Sequence, residues 1–428
     1  MNGHASSMQK NMDIYNYDKL FERVFKQLKN ELSGNNFEVI QRYERVMVTE
    51  SLAQATRLKH LKMLLSLTRL HNKDWIDLTK SDIDDLVYHI MKKYGSTSGQ
   101  ESETSRDHKK VLKIFFRWLK LGSRDKDSVG DPPETKSIKL KKPKDKIVRE
   151  DLLTEADRTR LLYACRENQR DRAFIDCHLE AGTRPGEILS LRIRHVKFDK
   201  YGAVIHVDGK TGPRPVRLIR STPNLAQWMA VHPFRDNPES PLWIMTDKQH
   251  YGESLTYSGA RKIVQQRTEK ANLSKRVFLN LFRHTEATET ARFMTEAEMK
   301  KRHGWANDSK MPGRYVHLVN ADVEEAILSH YGLSQEEQTQ HILPRKCHVC
   351  DMPNPMESKI CTKCGKPLDL KAAAEMDVKQ ESLSLKIDDQ SVRITRLENN
   401  LTEIKMLLTA GRKPSKLVRL TPEIQFIV

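Results

Sequence analysis

The sequence predicts a multidomain, mainly α protein: a helical block, an α+β block with a small three-stranded sheet, a cysteine ribbon and a long C-terminal helix. Three observations predict it. Apolar residues recur at helical spacing across residues 15–120 and again after 150; the period switches to strand-like alternation over residues 196–219; and two Cys-x-x-Cys knuckles precede a heptad repeat. At 428 residues the chain has room for two or three domains with attachments.

Residues 1–14 read as a flexible N-terminus. Residues 15–120 form the helical block, opened by the stripe Leu20, Phe21, Val24, Phe25, Leu28 and Leu32, with Asn36 expected to cap the next helix. A further helix sets Leu58, Leu61, Leu64 and Leu65 beside Arg57, Lys59 and Lys62, so that one face packs and the other offers charge to phosphates. Val111, Ile114, Phe115 and Trp118 make the last stripe, after a polar loop over residues 95–105. Residues 121–149 hold Pro132, Pro133 and Pro143 and the lysines Lys139, Lys141, Lys142, Lys144 and Lys146 without an apolar period. They read as a basic interdomain linker, either tracking a polyanion or serving as a soluble tether.

The α+β block, residues 150–335, opens on a capping box from Thr154 to Asp157. Val196–Phe198, Ala203–Val207 and Val216–Ile219 read as three short strands separated by DKYG and DGKTGPR turns, which puts Lys210 at a hairpin tip, and a helix follows through Thr222 and Pro223. Cys165 and Cys177 lie in apolar segments and read as core. In the ribbon, residues 343–369, Cys347, Cys350, Cys361 and Cys364 have the spacing of four thiolates around one structural, tetrahedral zinc; two disulfides are the alternative, disfavoured in a reducing compartment. Across residues 376–410, Leu383, Ile387, Gln390, Ile394, Leu397, Leu401, Ile404 and Leu408 alternate steps of four and three. That is a coiled-coil seam, serving self-association or folding back on its own chain. A tail, 411–428, completes the sequence.

Lys and Arg number 74 against 57 Asp and Glu, a net charge of +17 that favours a polyanionic partner, although a ribosomal or membrane-surface protein would share it. No apolar run is long enough to span a membrane and the N-terminal residues lack a signal-peptide core, so the expectation is a cytoplasmic, DNA-associated protein.

Four separated stretches carry chemistry: Arg184 in AGTRPGEILSL, Lys210 in DGKTGPRPVRL, Arg283 in LNLFRHTEAT and Tyr315 in GWANDSKMPGRYVHL. Two guanidiniums can each fork onto the non-bridging oxygens of a phosphodiester as they gain charge, a phenol can attack phosphorus, and an ammonium can give a proton to the departing oxygen. Such a site needs no metal or nucleotide. Taken singly each residue has an ordinary structural reading, Arg184 at a helix start, Lys210 in a hairpin, Trp305 in a core and Tyr315 capping a loop; the ordered set is what points to chemistry.

In that order and context the residues resemble the tyrosine recombinase (phage integrase) family, most closely its archaeal-type integrases with a C-terminal zinc ribbon. The resemblance covers roughly residues 15 to 335. It implies a helical core-binding domain that clamps duplex DNA and a catalytic domain with Arg184, Lys210, Arg283, Trp305 and Tyr315 as site residues. Tyr315 would attack to leave a 3′-phosphotyrosyl link, and protomers would assemble, as a tetramer, on paired double-stranded attachment sites. Asn280 stands where the family usually has a histidine, and an amide cannot shuttle a proton near neutral pH. His284 and His303 are nearby in sequence, but His284 has its own place in the motif, where packing is the expected role. The implied activity is integration or excision of a mobile or viral element; resolution of replicon dimers, or a DNA-binding regulator of the same fold with weakened catalysis, are the alternatives.

Overall fold

The structure is a computed structural model and describes residues 13–96, 99–141, 148–319, 344–355 and 358–409. The helical block holds α1 (Tyr17–Glu31), α2 (Gly34–Thr49), α3 (Gln54–Thr68), α4 (Lys80–Tyr94) and α5 (Glu103–Leu121). Their apolar faces close on one core in which Leu28, Ile40, Tyr43, Met47, Leu61, Trp75, Phe115 and Phe116 are fully buried. On α5 the centre of the buried stripe is Val111, Leu112, Phe115 and Phe116, while Ile114 and Trp118 sit at its margin. Ser33 caps α2, its hydroxyl accepting from the Asn36 amide. Asn36, expected as the cap, instead reaches across to the chain before α4, accepting from the Trp75 backbone and donating to the Lys73 carbonyl. A side chain that satisfies two backbone groups of another segment is worth more buried than at a helix end.

The linker is more structured than its composition suggests. It contains the single turns α6 (Lys126–Val129) and α7 (Pro133–Lys136), and Ile138 is buried in the helical core. Asp131 fastens it to α5, 2.9 Å from Lys113 Nζ and 2.5 Å from Arg117 Nη2, while Arg117 also donates to the carbonyls of Gly130 and Arg124. At the other end, Ile14 is buried and its carbonyl accepts from the Tyr257 amide at 2.8 Å, so the chain entering α1 is anchored rather than free.

The second block contains α8 (Glu155–Ala164), α9 (Gln169–Ala181), α10 (Pro185–Leu189), the antiparallel sheet β1 (Val196–Asp199), β2 (Gly202–Gly209) and β3 (Gly212–Leu218) in order β1-β2-β3, then α11 (Thr222–Val231), α12 (Tyr257–Lys270), α13 (Leu279–Thr290), α14 (Glu296–His303) and α15 (Met311–Val319). The Thr154 capping box forms as expected, Thr154 Oγ1 accepting from Asp157 and Asp157 from Thr154. Helix α9 is buried along most of its length, and packs against α13. Cys165 and Cys177 are both core. In the sheet Gly209 pairs with Gly212, leaving Lys210 and Thr211 as a two-residue tip. Ala203, Ile205 and Val207 of β2 and Arg214, Val216 and Leu218 of β3 face inward, the period of two placing Arg214 on the buried side.

The cysteine ribbon, with strands β4 (Arg345–Lys346) and β5 (Pro353–Asn354), and the C-terminal helix Leu370–Thr409 belong to a second compact unit. Leu383, Ile387, Ile394, Leu397, Leu401 and Ile404 of the seam are all exposed on that helix. No helix among the described residues is long and apolar enough to cross a membrane.

Burial opposes ionisation of Asp131, yet the hydrogen bonds from Lys113 and Arg117 outweigh it and hold the carboxyl below its ordinary value. Asp131→Ala leaves two cations without their partner and should cost about 3 kcal/mol of unfolding free energy, read from urea melts at neutral pH. The loss should shrink in acid, because a depressed carboxylate stabilises the fold above its unfolded pKa of about 4 and ceases to do so as pH falls through the folded value.

Candidate active site

Arg184 is the N-cap of α10, directly after the turn that ends α9 at Gly182, whose φ of 57° and close approach to Glu286 and His303 leave no space for a side chain. Pro185 starts the helix, and Glu187, three residues on, accepts from the Arg184 amide at 3.0 Å and from its Nη1 at 2.8 Å. The same carboxylate is gripped from β3 by Arg214, with contacts of 2.7 and 3.2 Å. Arg184 Nη2 reaches the Gly304 carbonyl at 3.0 Å. Arg283, on α13, donates to the carbonyls of Gly182 at 3.0 Å and His303 at 2.7 Å. Both guanidiniums of the sequence motif thus end on carbonyls at the C-termini of α9 and α14, where the helix dipole is negative.

The electrostatics are lopsided. Burial raises the cost of ionising Glu187, but hydrogen bonds from Arg214 and Arg184 keep its pKa below the ordinary value. Burial and then the neighbouring Arg184 pull Arg283 down to about 10. Arg184 and Arg214 share the one carboxylate of Glu187 while Arg283 is held by neutral carbonyls, so the cluster carries surplus positive charge suited to an anion.

Tyr315, on α15, is almost wholly buried against this cluster. Its ring stacks on Trp305 at 5.5 Å between centroids and 8° between planes, and the Arg283 guanidinium lies 5.3 Å from the centroid of the same indole. Trp305 therefore buttresses both the Tyr315 ring and the Arg283 guanidinium. The Tyr315 hydroxyl is 2.8 Å from His284 Nδ1. The packing role expected for His284 thus gives way to a direct bond with the phenol. His303 is different: fully buried, bonded to Thr290 Oγ1 at 2.9 Å, with burial and then Arg283 pushing its pKa down to about 3.

Lys210 is exposed at the hairpin tip. The tip itself lies against the cluster, Thr211 Oγ1 donating to the Gly304 carbonyl at 3.2 Å, and a Cβ on Gly209 would overlap the Glu187 carboxylate. Asn280 is exposed on the first turn of α13, one turn before Arg283 and His284. Of the basic residues expected to meet DNA, Arg57 is paired with Glu44 and laid over Phe21, Lys59 is 2.6 Å from Asp107, and Lys62, Lys139 and Lys141 are exposed; Lys142 and Lys144 lie outside the described residues.

Residues 151–321 match the sequence model of the phage integrase family. Over those residues the chain is similar to that family. Solved structures similar to the chain include a lambda integrase dimer bound to a COC′ core site, at 13% identity over 69% of this chain and 80% of that one with a TM-score of 0.52. A lambda integrase tetramer bound to a Holliday junction is similar at 14% identity over the same shares with a TM-score of 0.51, and the Tn1549 transposon integrase in complex with transposon right end DNA at 17% identity over 68% and 99% with a TM-score of 0.50. At these identities the likeness is one of fold. No curated protein matches the chain.

Outside the integrase-like domain, Cys347, Cys350, Cys361 and Cys364 bring their sulfurs within 4.8 Å of one another, with Cys347–Cys364 and Cys350–Cys361 separations of 3.6 Å. Those distances are too long for disulfides and match the edges of a thiolate tetrahedron around an ion with bonds of about 2.3 Å. The Val349 amide and the Asn354 side-chain amide point at Cys347 and Cys361, donors suited to thiolate charge. The cluster can hold one zinc ion.

Two members of the cluster were not singled out from sequence. Arg214 was hidden in a strand, though its inward register with Val216 and Leu218 marks a buried charge in want of a partner. The Glu187 carboxylate that holds it lay in view within the T-R-P-G-E motif.

His60, His178 and His303 are buried, and burial pushes their pKa values down, to about 4, about 4 and about 3. A folded pKa below the unfolded one means that the unfolded chain binds protons first, so stability should fall as pH drops from about 6.5 towards 4, by at most about 1.4 kcal/mol per pH unit for each imidazole. Urea midpoints at pH 7 and pH 5 measure this, and His303→Gln should flatten the dependence.

Proposed function

We propose that this chain is a site-specific DNA recombinase that cuts and rejoins strands through a 3′-phosphotyrosyl intermediate, serving integration and excision of a mobile or viral element. The observation that carries the reading is the placement of the Tyr315 phenol in one cluster with the Arg184 and Arg283 guanidiniums, all bridged by Trp305 and the ends of α9 and α14. Arg184 and Arg283 would take the growing charge on a five-coordinate phosphorus, Tyr315 would attack, and Lys210, carried by the hairpin, would protonate the departing 5′ oxygen. Bond energy kept in the phosphotyrosyl link would permit religation without an external energy source. The zinc ion held by the four cysteines would be structural, since four thiolates leave no open position for chemistry. The exposed Lys62, Lys139 and Lys141 would contact the DNA backbone.

The lambda integrase structures, described as a dimer on a core site and a tetramer on a Holliday junction, support assembly of this chain on paired duplexes. The C-terminal helix supports pairing of protomers. Ile387 and Ile394 in one core set alternate with Leu383 and Leu397 in the other, a β-branched and leucine combination that favours two parallel strands, with Gln390 fixing register; Leu401 and Ile404, one heptad on, reverse that combination. In that register Arg393 of one strand faces Glu398 of the other.

The reading is tested by covalent trapping. Duplexes enriched from a random pool by binding to Tyr315→Phe are nicked, incubated with wild-type protein and denatured. Protein-linked DNA carrying a 3′ phosphate, absent with Tyr315→Phe, is the expected result; bound duplexes that never become linked would instead favour the regulator reading, to which Asn280 lends support. For the coiled coil, light scattering of the full chain should give twice the monomer mass, and Leu397→Lys with Ile404→Lys should return it to monomer; an unchanged mass would refute the pairing.

A further inference from the structure

We infer that His284 is the general base that activates Tyr315, taking the place of the proton-transfer group that Asn280 cannot supply; the inference rests on the recombinase reading above. Three histidine-related positions compete for the role. Asn280 has an amide, which neither accepts nor releases a proton near neutral pH. His303 is fully buried, fixed between Thr290 Oγ1 and the Gly182 carbonyl, with its pair of ring nitrogens committed to structure. His284 alone of the three has a ring nitrogen at the phenol, 2.8 Å from Oη.

The geometry suits proton transfer. For Nδ1 to accept from the phenol the neutral ring carries its proton on Nε2. His284 is half-buried and adjoins Arg283 on α13, so the base and one phosphate ligand are set by the same helix. The Trp305 stack fixes the plane of the Tyr315 ring, which restrains the hydroxyl to the His284 side. In the forward step the Tyr315 O–H proton passes to His284 Nδ1, Oη forms a bond to phosphorus, the bond from phosphorus to the 5′ oxygen breaks, and that oxygen takes a proton from Lys210. Charge is conserved: the phosphodiester anion becomes a phosphotyrosyl diester anion, imidazole becomes imidazolium and ammonium becomes amine. In religation each proton returns, and His284 acts as the acid for the departing tyrosine.

A packing role and a proton-transfer role are separated by the leaving group. A nicked duplex ending in a 3′-(4-nitrophenyl phosphate) mimics the phosphotyrosyl link, and nitrophenolate departs without needing a proton. Strand joining on that ester, measured with Tyr315→Phe protein, therefore has no use for His284 as acid but still needs the arginines. His284→Ala and His284→Gln are each expected to slow covalent cleavage by roughly 10²- to 10⁴-fold, while either change combined with Tyr315→Phe leaves joining of the nitrophenyl ester at the Tyr315→Phe rate. Arg283→Ala, the control, should depress both. Equal losses in cleavage and joining, or cleavage undiminished in both His284 variants, would overturn the assignment. A wild-type protein that forms no adduct at all would overturn the recombinase reading itself, and this inference with it.

Discussion

The integrase-like domain is organised around one buried carboxylate. Glu187 takes a hydrogen bond from its own helix start and guanidinium contacts from Arg184 and Arg214, and thereby ties α10 to β3. Without it the buried Arg214 guanidinium would lose its ion-pair partner and face the partly exposed Arg184 with nothing between them to offset the like charge. With it the sheet is drawn onto the helices, the Gly209 backbone is brought against the carboxylate, and the hairpin tip meets the loop after α14. Arg283 completes the cluster and, among the described residues, is held by backbone carbonyls that orient it without an ion pair of its own. A site built this way is stable enough to fold and still deficient in negative charge.

Much of this was legible in the sequence because the signals are local. The Thr154 box, the alternation of β2 and β3, the two knuckles and the heptad each depend on residues within one or two turns of each other, where propensity and pattern act directly. The positions of Arg184, Arg283 and Tyr315 were legible through motif order. What escaped were partnerships formed across long separations. Asn36 serves the chain before α4 rather than its own helix, Asp131 turns a proline-rich linker into part of the helical core, and Arg214 is explained only by a carboxylate 27 residues earlier. The His284 contact to Tyr315 spans 31 residues and depends on how α15 crosses α13, a matter of packing that spacing does not encode.

The two ends of the proposed proton path differ in freedom. Tyr315 is enclosed, stacked and hydrogen-bonded, whereas Lys210 stands in solvent on a two-residue turn between glycines. On the proposed mechanism the nucleophile would be preorganised and the acid delivered, so that the cost of ordering the lysine would fall on the encounter with DNA rather than on the free protein.

Pairing through the C-terminal helix, as proposed, would change how the chain finds paired sites. The 40 residues of that helix extend about 60 Å. Two chains paired along it would search DNA as a tethered couple: once one catalytic domain has found its half-site, the second is held near it at an effective concentration set by the tether and not by the number of copies in the cell. Occupancy of the second half-site would then become an intramolecular event, and a few molecules would suffice where free monomers would have to arrive twice.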